Sequence, residues 1–298
     1  MASHPLLKAF QSSSPAFGVW ITLPGIWAAR TVAQASPHLS WILIDGEHGL
    51  TPLQPGAAET IAAVSGLGAN APSVIVRIPA TGASANGSAA WQIKYVLDAG
   101  ARGVLVPMVI HFALHEPTNR VLTSRSSQVS NAEQAKAIVA ASRFPPKGIR
   151  GFGSPFTQAS WSLSAADYLK EANDGVIVLV QVETREAVEN LDEILAVDGL
   201  DGIFIGPYDL SLSLGHPPPS PDPVPAVEEV IQKILAASHA AGKKCAFYCT
   251  SGEQAAKRAK EGFDMINVTS DSGAMSESIA KHLSAAAGQS VGGQKFGY

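Results

Sequence analysis

The sequence predicts an α/β fold, a (β/α)8 (TIM) barrel, on three observations. Eight short runs rich in Val and Ile are spread along its 298 residues. Helix-length amphipathic stretches separate most of them. The alternative, an open doubly wound sheet, would call for a Gly-rich nucleotide loop after an early strand, and none is present.

The strands are predicted at 17–23 (FGVWITL), 41–46 (WILIDG), 73–78 (SVIVRI), 103–109 (GVLVPMV), 176–183 (VIVLVQVE), 202–206 (GIFIG), 244–249 (KCAFYC) and 265–270 (MINVTS). They alternate little between apolar and polar residues, as parallel strands buried on both faces do. The intervening helices are read from SAAWQIKYVLDAGA, NAEQAKAIVAASR, TREAVENLDEILAV, PAVEEVIQKILAASHAAG and SGEQAAKRAKEG, several of which close on a glycine, a C-cap signal. One domain over 1–298 accounts for the whole pattern. Two segments break the rhythm. Residues 111–130 are Ser-rich and read as a flexible excursion. Residues 144–163 (FPPKGIRGFGSPFTQASWSL) carry Gly, Pro and aromatics and read as a lid or binding wall. HPPPSPDPVP (216–225) reads as a rigid connection, and the tail at 288–298 as mobile or an oligomer contact.

Composition narrows the function. Apolar residues make up 46% of the chain, and the formal charge is 21 − 25 = −4. With no basic run longer than two residues, nucleic acid and anionic membranes are poor partners. No apolar run approaches the roughly 18 residues of a membrane span, and the N-terminus lacks a secretory apolar core. The two cysteines, Cys245 and Cys249, lie four apart on one strand, too extended for a bridge; free thiols point to a reducing, cytoplasmic compartment.

The chemistry collects where apolar runs end in charge. Glu183 follows VIVLVQV and Asp209 follows GIFIGPY. A carboxylate there costs desolvation unless it is paired or holds a cation. Each alone could cap a helix or, for Glu183, pair with Arg185. Two on neighbouring strands suit a hard divalent ion, Mg2+ or Mn2+, with open positions for substrate. Gln181 points to the same side as Glu183. The turn Gly206-Pro207-Tyr208-Asp209 can offer the N–H groups of Tyr208 and Asp209 to a carboxylate, or can be an ordinary tight turn. His48 follows WILIDGE, with Asp45 placed to orient its imidazole; Glu47 supports the loop or an outer water. Arg77 ends SVIVR and suits an electrophilic clamp on an enolate oxygen, or else an ion pair with Asp45 or Glu47. Trp20, Trp161 and Phe152 read as packing residues. No lysine projects from a strand tip, so a Schiff-base mechanism has no nucleophile.

WILIDGEHG, VIVRIP, GVLVPMV, FPPKGIRGFGS, YLKEAND, VLVQVETREAVENLDEIL and VDGLDGIFIGPYDLS, in this order, resemble the HpcH/HpaI family of class II pyruvate aldolases, a group that includes the fungal macrophomate synthase. The resemblance implies a divalent metal on Glu183 and Asp209, with Co2+ a further candidate beside Mg2+ and Mn2+, and pyruvate chelating it through ketone and carboxylate. It implies that Arg77 polarises the ketone, that His48 with Asp45 assists proton transfer, and that Gln181 and the Gly206–Asp209 turn bind the carboxylate. The activity implied is cleavage of a 4-hydroxy-2-oxo acid to pyruvate and an aldehyde. Oxaloacetate decarboxylation, with or without capture of the enolate, is the first alternative, and a non-catalytic metabolite-binding barrel the second. Hexameric homo-oligomers are usual in the family, and the last helix can be exchanged with a neighbouring subunit. The sequence departs from the family's pattern in the long 111–130 excursion, in Tyr208 where a small residue is common, and in MINVTSDSG.

Overall fold

The computed structural model of the protein describes residues 3–68, 70–79, 89–107 and 131–289. The excursion expected at 111–130 and the tail from 290 onward lie outside the described residues. Eight strands are present: β1 (Ala16–Ile21), β2 (Leu39–Asp45), β3 (Ser73–Arg77), β4 (Gly103–Pro107), β5 (Ile177–Val182), β6 (Gly202–Ile205), β7 (Lys244–Tyr248) and β8 (Met265–Ser270). Each pairs in parallel with the next, and β8 returns to β1 with Ala16 opposite Met265, so the sheet closes into a barrel. The helices are α1 (Pro5–Ser12), α2 (Ile26–Ala33), α3 (Ala58–Ser65), α4 (Ala89–Asp98), α5 (Ala132–Ser142), α6 (Thr157–Trp161), α7 (Ala165–Gly175), α8 (Arg185–Glu189), α9 (Leu191–Leu195), α10 (Pro207–Ser213), α11 (Pro225–Ala240), α12 (Gly252–Glu261) and α13 (Asp271–Ala286). Each expected strand is found, with its described ends within two residues of expectation.

The period of two along each strand sorts the side chains into two cores. Ile42, Ile44, Val74, Val76, Val178, Val180, Ile203 and Ile205 pack outward under the helices. Trp41, Leu43, Ile75, Leu105, Ile177, Leu179, Phe204 and Met265 fill the barrel itself. Trp41 crosses that interior and its indole N–H donates to the Ala16 carbonyl at 3.0 Å. A Cβ on Gly18 would fall 2.0 Å from the Trp41 ring, so the neighbouring strand needs a glycine there. The inward series continues upward into polar residues: Leu43 is followed by Asp45, Ile75 by Arg77, and Leu179 by Gln181. This register, set by buried apolar residues, delivers charge to the carboxyl ends of the strands, where barrels of this type place their sites.

The opposite end is closed by α1, a helix that sequence reasoning does not single out. His4 caps it, its ring nitrogen accepting from the Leu7 N–H. Leu6 is fully buried in the interior core, a contribution of roughly 2 kcal/mol. The His4 ring also bonds Ser73 Oγ at 2.7 Å and the Gly175 carbonyl at 3.0 Å, tying α1 to the entrance of β3 and the end of α7.

The 144–163 segment corrects one expectation. It is not a lid over the strand tips. Arg150 Nη2 donates to Asp98 Oδ1 at 2.9 Å, Ser154 Oγ to the Asp98 carbonyl at 2.7 Å, and the Trp161 indole to the Gly100 carbonyl at 3.2 Å. These groups surround the C-terminal end of α4, from which the chain enters β4. The segment therefore lines the floor of the barrel, as its place between α5 and β5 requires. Trp161 packs there, 5.3 Å from Tyr168, whereas Phe152 is half exposed.

The last helix, α13, is anchored at its start, where Asp271 accepts the N–H groups of Thr22 and Leu23 at 2.9 and 3.0 Å. Beyond that residue it leaves Met275, Ile279 and Leu283 exposed at helical spacing. Among the described residues no helix is long and apolar enough to cross a membrane.

Candidate active site

Asp45 and Arg77 face each other as register partners at the tips of β2 and β3. Both are buried. Arg77 Nε donates to Asp45 Oδ1 at 2.9 Å and Nη2 to Oδ2 at 2.7 Å, a bidentate fork. The Trp20 indole N–H adds a bond to Oδ2 at 3.0 Å, and the backbone N–H groups of Glu47 and His48 bond Oδ1 at 3.0 and 3.2 Å. Burial alone would lift the Asp45 carboxyl; the Arg77 fork and the other donors outweigh it and hold the group below the usual range. Burial likewise works against the guanidinium, and Asp45, Glu47 and Glu183 reverse the effect, keeping Arg77 charged. Its remaining nitrogen, Nη1, lies 3.1 Å from Glu47 Oε2 and 3.4 Å from Gln181 Oε1. The Trp20 ring lies under the guanidinium, 5.0 Å from its carbon.

The second cluster is acidic. Glu183 comes one residue after β5, and its Oε2 accepts from the Gln181 side-chain amide. Burial pushes its carboxyl up to about 8, with the negative charges of Asp209 and Glu47 adding to the effect. Asp209 stands in the first turn of α10, which begins at Pro207. The first helical bond runs from the Leu210 N–H to the Gly206 carbonyl at 3.0 Å, so the N–H groups of Tyr208 and Asp209 lie ahead of it. Gly206 keeps the approach clear: a Cβ there would sit 3.0 Å from both Glu183 Oε2 and Gln181 Nε2.

Both clusters open into one cavity of about 440 Å3 at the mouth of the barrel. Its lining combines the polar His48, Arg77, Gln181 and Asp209 with the aromatic Trp20, Phe204, Tyr208 and Tyr248. The catalytic, substrate and metal candidates Asp45, His48, Arg77, Gln181, Glu183, Gly206, Tyr208 and Asp209 thus gather at one end of the barrel, but one pairing differs. Asp45 does not orient the His48 imidazole. It is the last inward residue of β2 and is taken by Arg77 and Trp20, reaching His48 only through the backbone N–H. The carboxylate beside the half-exposed His48 ring is Glu47, with Oε2 3.7 Å from Nε2. Trp20, which reads as packing, belongs to the site. Its signal is its register: it follows Ala16 and Gly18 on the inward face of β1.

The groups present fit a hard divalent cation. The donors are all oxygens, the space at Gly206 would be filled by a Cβ, and Glu183 sits among like charges that a cation would relieve. Among the described residues no three His, Cys, Asp or Glu side chains form a closed cage. A pair of carboxylates with open positions is the pattern of ions that retain water and take a chelating ligand.

Comparison with known proteins gives a consistent result. The model of the HpcH/HpaI aldolase/citrate lyase family matches residues 125–278. A 4-hydroxy-2-oxo-heptane-1,7-dioate aldolase of Klebsiella pneumoniae is 40% identical over 252 residues, 84% of this chain and 81% of the relative. A hydroxypyruvate/pyruvate aldolase of Agrobacterium fabrum is 37% identical over 236 residues, 78% and 76% of the two chains. The crystal structure of an HpcH/HpaI aldolase/citrate lyase family protein from Burkholderia cenocepacia superposes with a TM-score of 0.78 at 27% identity, covering 96% of this chain and all of that one.

Proposed function

The chain belongs to the HpcH/HpaI aldolase/citrate lyase family, and from that membership we propose that it cleaves a 4-hydroxy-2-oxo acid into pyruvate and an aldehyde, and joins them in the reverse direction. It is a lyase of the aldolase type, as its relatives are. Cleavage requires loss of the C4 hydroxyl proton. The C3–C4 bond then breaks, its electrons pass to the keto oxygen, and the resulting enolate is protonated at C3.

A divalent cation, Mg2+ or Mn2+ with Co2+ as a further candidate, held by Glu183 and Asp209, would supply the Lewis acid that polarises the keto group. The chain's own residues do the rest. Arg77 donates to the oxygen on which charge develops, at full charge and in one orientation because Asp45 grips it from behind. Gln181 and the N–H groups of Tyr208 and Asp209 hold the substrate carboxylate beside Gly206. His48, half exposed and next to Glu47, moves the proton of the C4 hydroxyl. The observation that carries this reading is the bidentate Asp45–Arg77 pair, which aims a locked cation into the same cavity that Asp209 and Gln181 line.

The test follows pyruvate release from a 4-hydroxy-2-oxo acid. Activity is expected to vanish on chelation and return with Mg2+ or Mn2+. Arg77→Lys, which retains charge but loses the fork, is expected to lower kcat by roughly 10²-fold. Turnover that survives exhaustive chelation, or a fully active Arg77→Lys, contradicts the reading. The exposed stripe on α13 further supports a homo-oligomer in which that helix is exchanged with a neighbouring copy. The two buried free thiols are consistent with a cytoplasmic location of this single-domain chain.

A further inference from the structure

The mouth cavity is lined by aromatic as well as charged groups, and the aromatic share bears on the aldehyde half of the substrate. A three-carbon keto acid fills only part of about 440 Å3, a volume within the range, roughly 300–1,000 Å3, that accepts much larger ligands. The charged groups are taken up by the keto acid and its activation. What remains is aromatic. Trp20 stands edge to face with Tyr248, ring centroids 5.2 Å apart at 87°. It also packs against Phe204 at 5.2 Å. Tyr208 meets Tyr248 at 6.3 Å and 76°. The four rings form a continuous, mutually supported wall rather than separate side chains.

Charge argues the same way. Among the described residues that line the cavity, Arg77 is the one guanidinium or ammonium group, and it is bound to Asp45 and Glu47. Asp45, Glu47, Glu183 and Asp209 already outnumber it. An aldehyde ending in a second carboxylate would desolvate that group against aromatic rings and near like charges; Arg77 and the proposed divalent ion are already engaged by the carboxylates and the keto acid, and the described lining residues offer no further guanidinium or ammonium group.

We propose that this aldolase takes an uncharged aldehyde with an apolar or aromatic substituent, seated against the partly exposed Tyr208 and Tyr248 rings that the buried Trp20 and Phe204 support from behind, and discriminates against aldehydes that carry a terminal carboxylate. The inference rests on the aldolase reading above and narrows its substrate. In the synthetic direction C3 of the pyruvate enolate attacks the aldehyde carbon, the C3–C4 bond forms, and the aldehyde oxygen takes up a proton to become the C4 hydroxyl.

The experiment compares benzaldehyde, butanal and 4-oxobutanoate as acceptors with pyruvate and Mg2+, and in parallel measures deuterium exchange into the pyruvate methyl group. Exchange together with a kcat/KM for benzaldehyde or butanal at least tenfold above that for 4-oxobutanoate supports the proposal. Exchange with 4-oxobutanoate equal or preferred overturns the proposal and leaves the aldolase reading standing. No exchange at all removes the aldolase reading and the proposal with it. Tyr248→Arg, which puts a cation on the wall, is expected to shift the benzaldehyde to 4-oxobutanoate ratio at least tenfold toward the acid, chiefly through the aldehyde KM. Should that variant fail to fold, Tyr248→Leu is expected to raise the benzaldehyde KM about tenfold relative to that of butanal. An unchanged acceptor preference in the folded variant overturns the wall.

Discussion

Arg77 reaches Asp45 with two nitrogens at once, at 2.7 and 2.9 Å, because the parallel register of β3 on β2 sets the two residues side by side. The pair is buried, and its energetics follow from that. A buried ion pair adds little over an apolar pair, whereas a single buried charge left without its partner costs about 3–5 kcal/mol.

Asp45→Ala leaves Arg77 with Glu47 as its remaining carboxylate and is expected to lower stability by about 3 kcal/mol, the low end of that range, in urea denaturation. Activity should fall as well, since Arg77 loses the group that fixes its direction. A variant of wild-type stability would show that Arg77 is held by other means.

Gly206 leaves room that any side chain would take. Its φ is −91°, so alanine is acceptable to the backbone, and the penalty falls on the neighbours of the new Cβ, Glu183 and Gln181. Gly206→Ala is expected to fold normally and to weaken Mn2+ binding by about tenfold, read by calorimetry.

His4 makes stability depend on pH at the far end of the barrel. Burial lowers its pKa from 6.5 to about 4. The unfolded chain takes up a proton as pH falls through 6.5, while the folded chain resists until about 4. Stability from this group is thus full above pH 6.5 and is lost progressively between 6.5 and 4, on the order of 3 kcal/mol in total. Carboxylates titrate in the same region, so the measurement is the difference between wild type and His4→Gln across that window. The difference is expected to shrink as pH falls; a constant difference would contradict the assignment.

Met275, Ile279 and Leu283 form the exposed stripe of α13. The double variant Ile279→Glu, Leu283→Glu is expected to reduce the assembly size measured by light scattering. A monomeric wild type would remove the proposed exchange of this helix.

The barrel was readable because its signal is repetitive. Eight Val and Ile runs with helices between them call for a parallel sheet buried on both faces, and the inward period of two carries β2, β3 and β5 to their polar tips. That register also explains why Asp45, Arg77, Gln181 and Glu183 are legible in the sequence. Nearness along the chain points Asp45 to His48, but strand register gives its carboxylate to Arg77 instead. The 144–163 segment shows a related limit of composition: Gly, Pro and aromatics mark a loop, but only the order of elements says at which end of the barrel it lies. Trp20 looked like core, as most buried tryptophans are, and its bond to Asp45 depends on a neighbouring strand. The helix α1 carried no long periodic pattern, and its role depends on the open barrel floor it fills.

The central claim is that Glu183, Asp209 and Arg77 together stabilise a pyruvate enolate. Deuterium exchange at the pyruvate methyl group, followed by proton NMR, tests it without any acceptor aldehyde. Wild-type protein with Mg2+ is expected to exchange the methyl protons, and chelated protein and Glu183→Gln to show no exchange above buffer. Exchange that continues unchanged in both would contradict the claim.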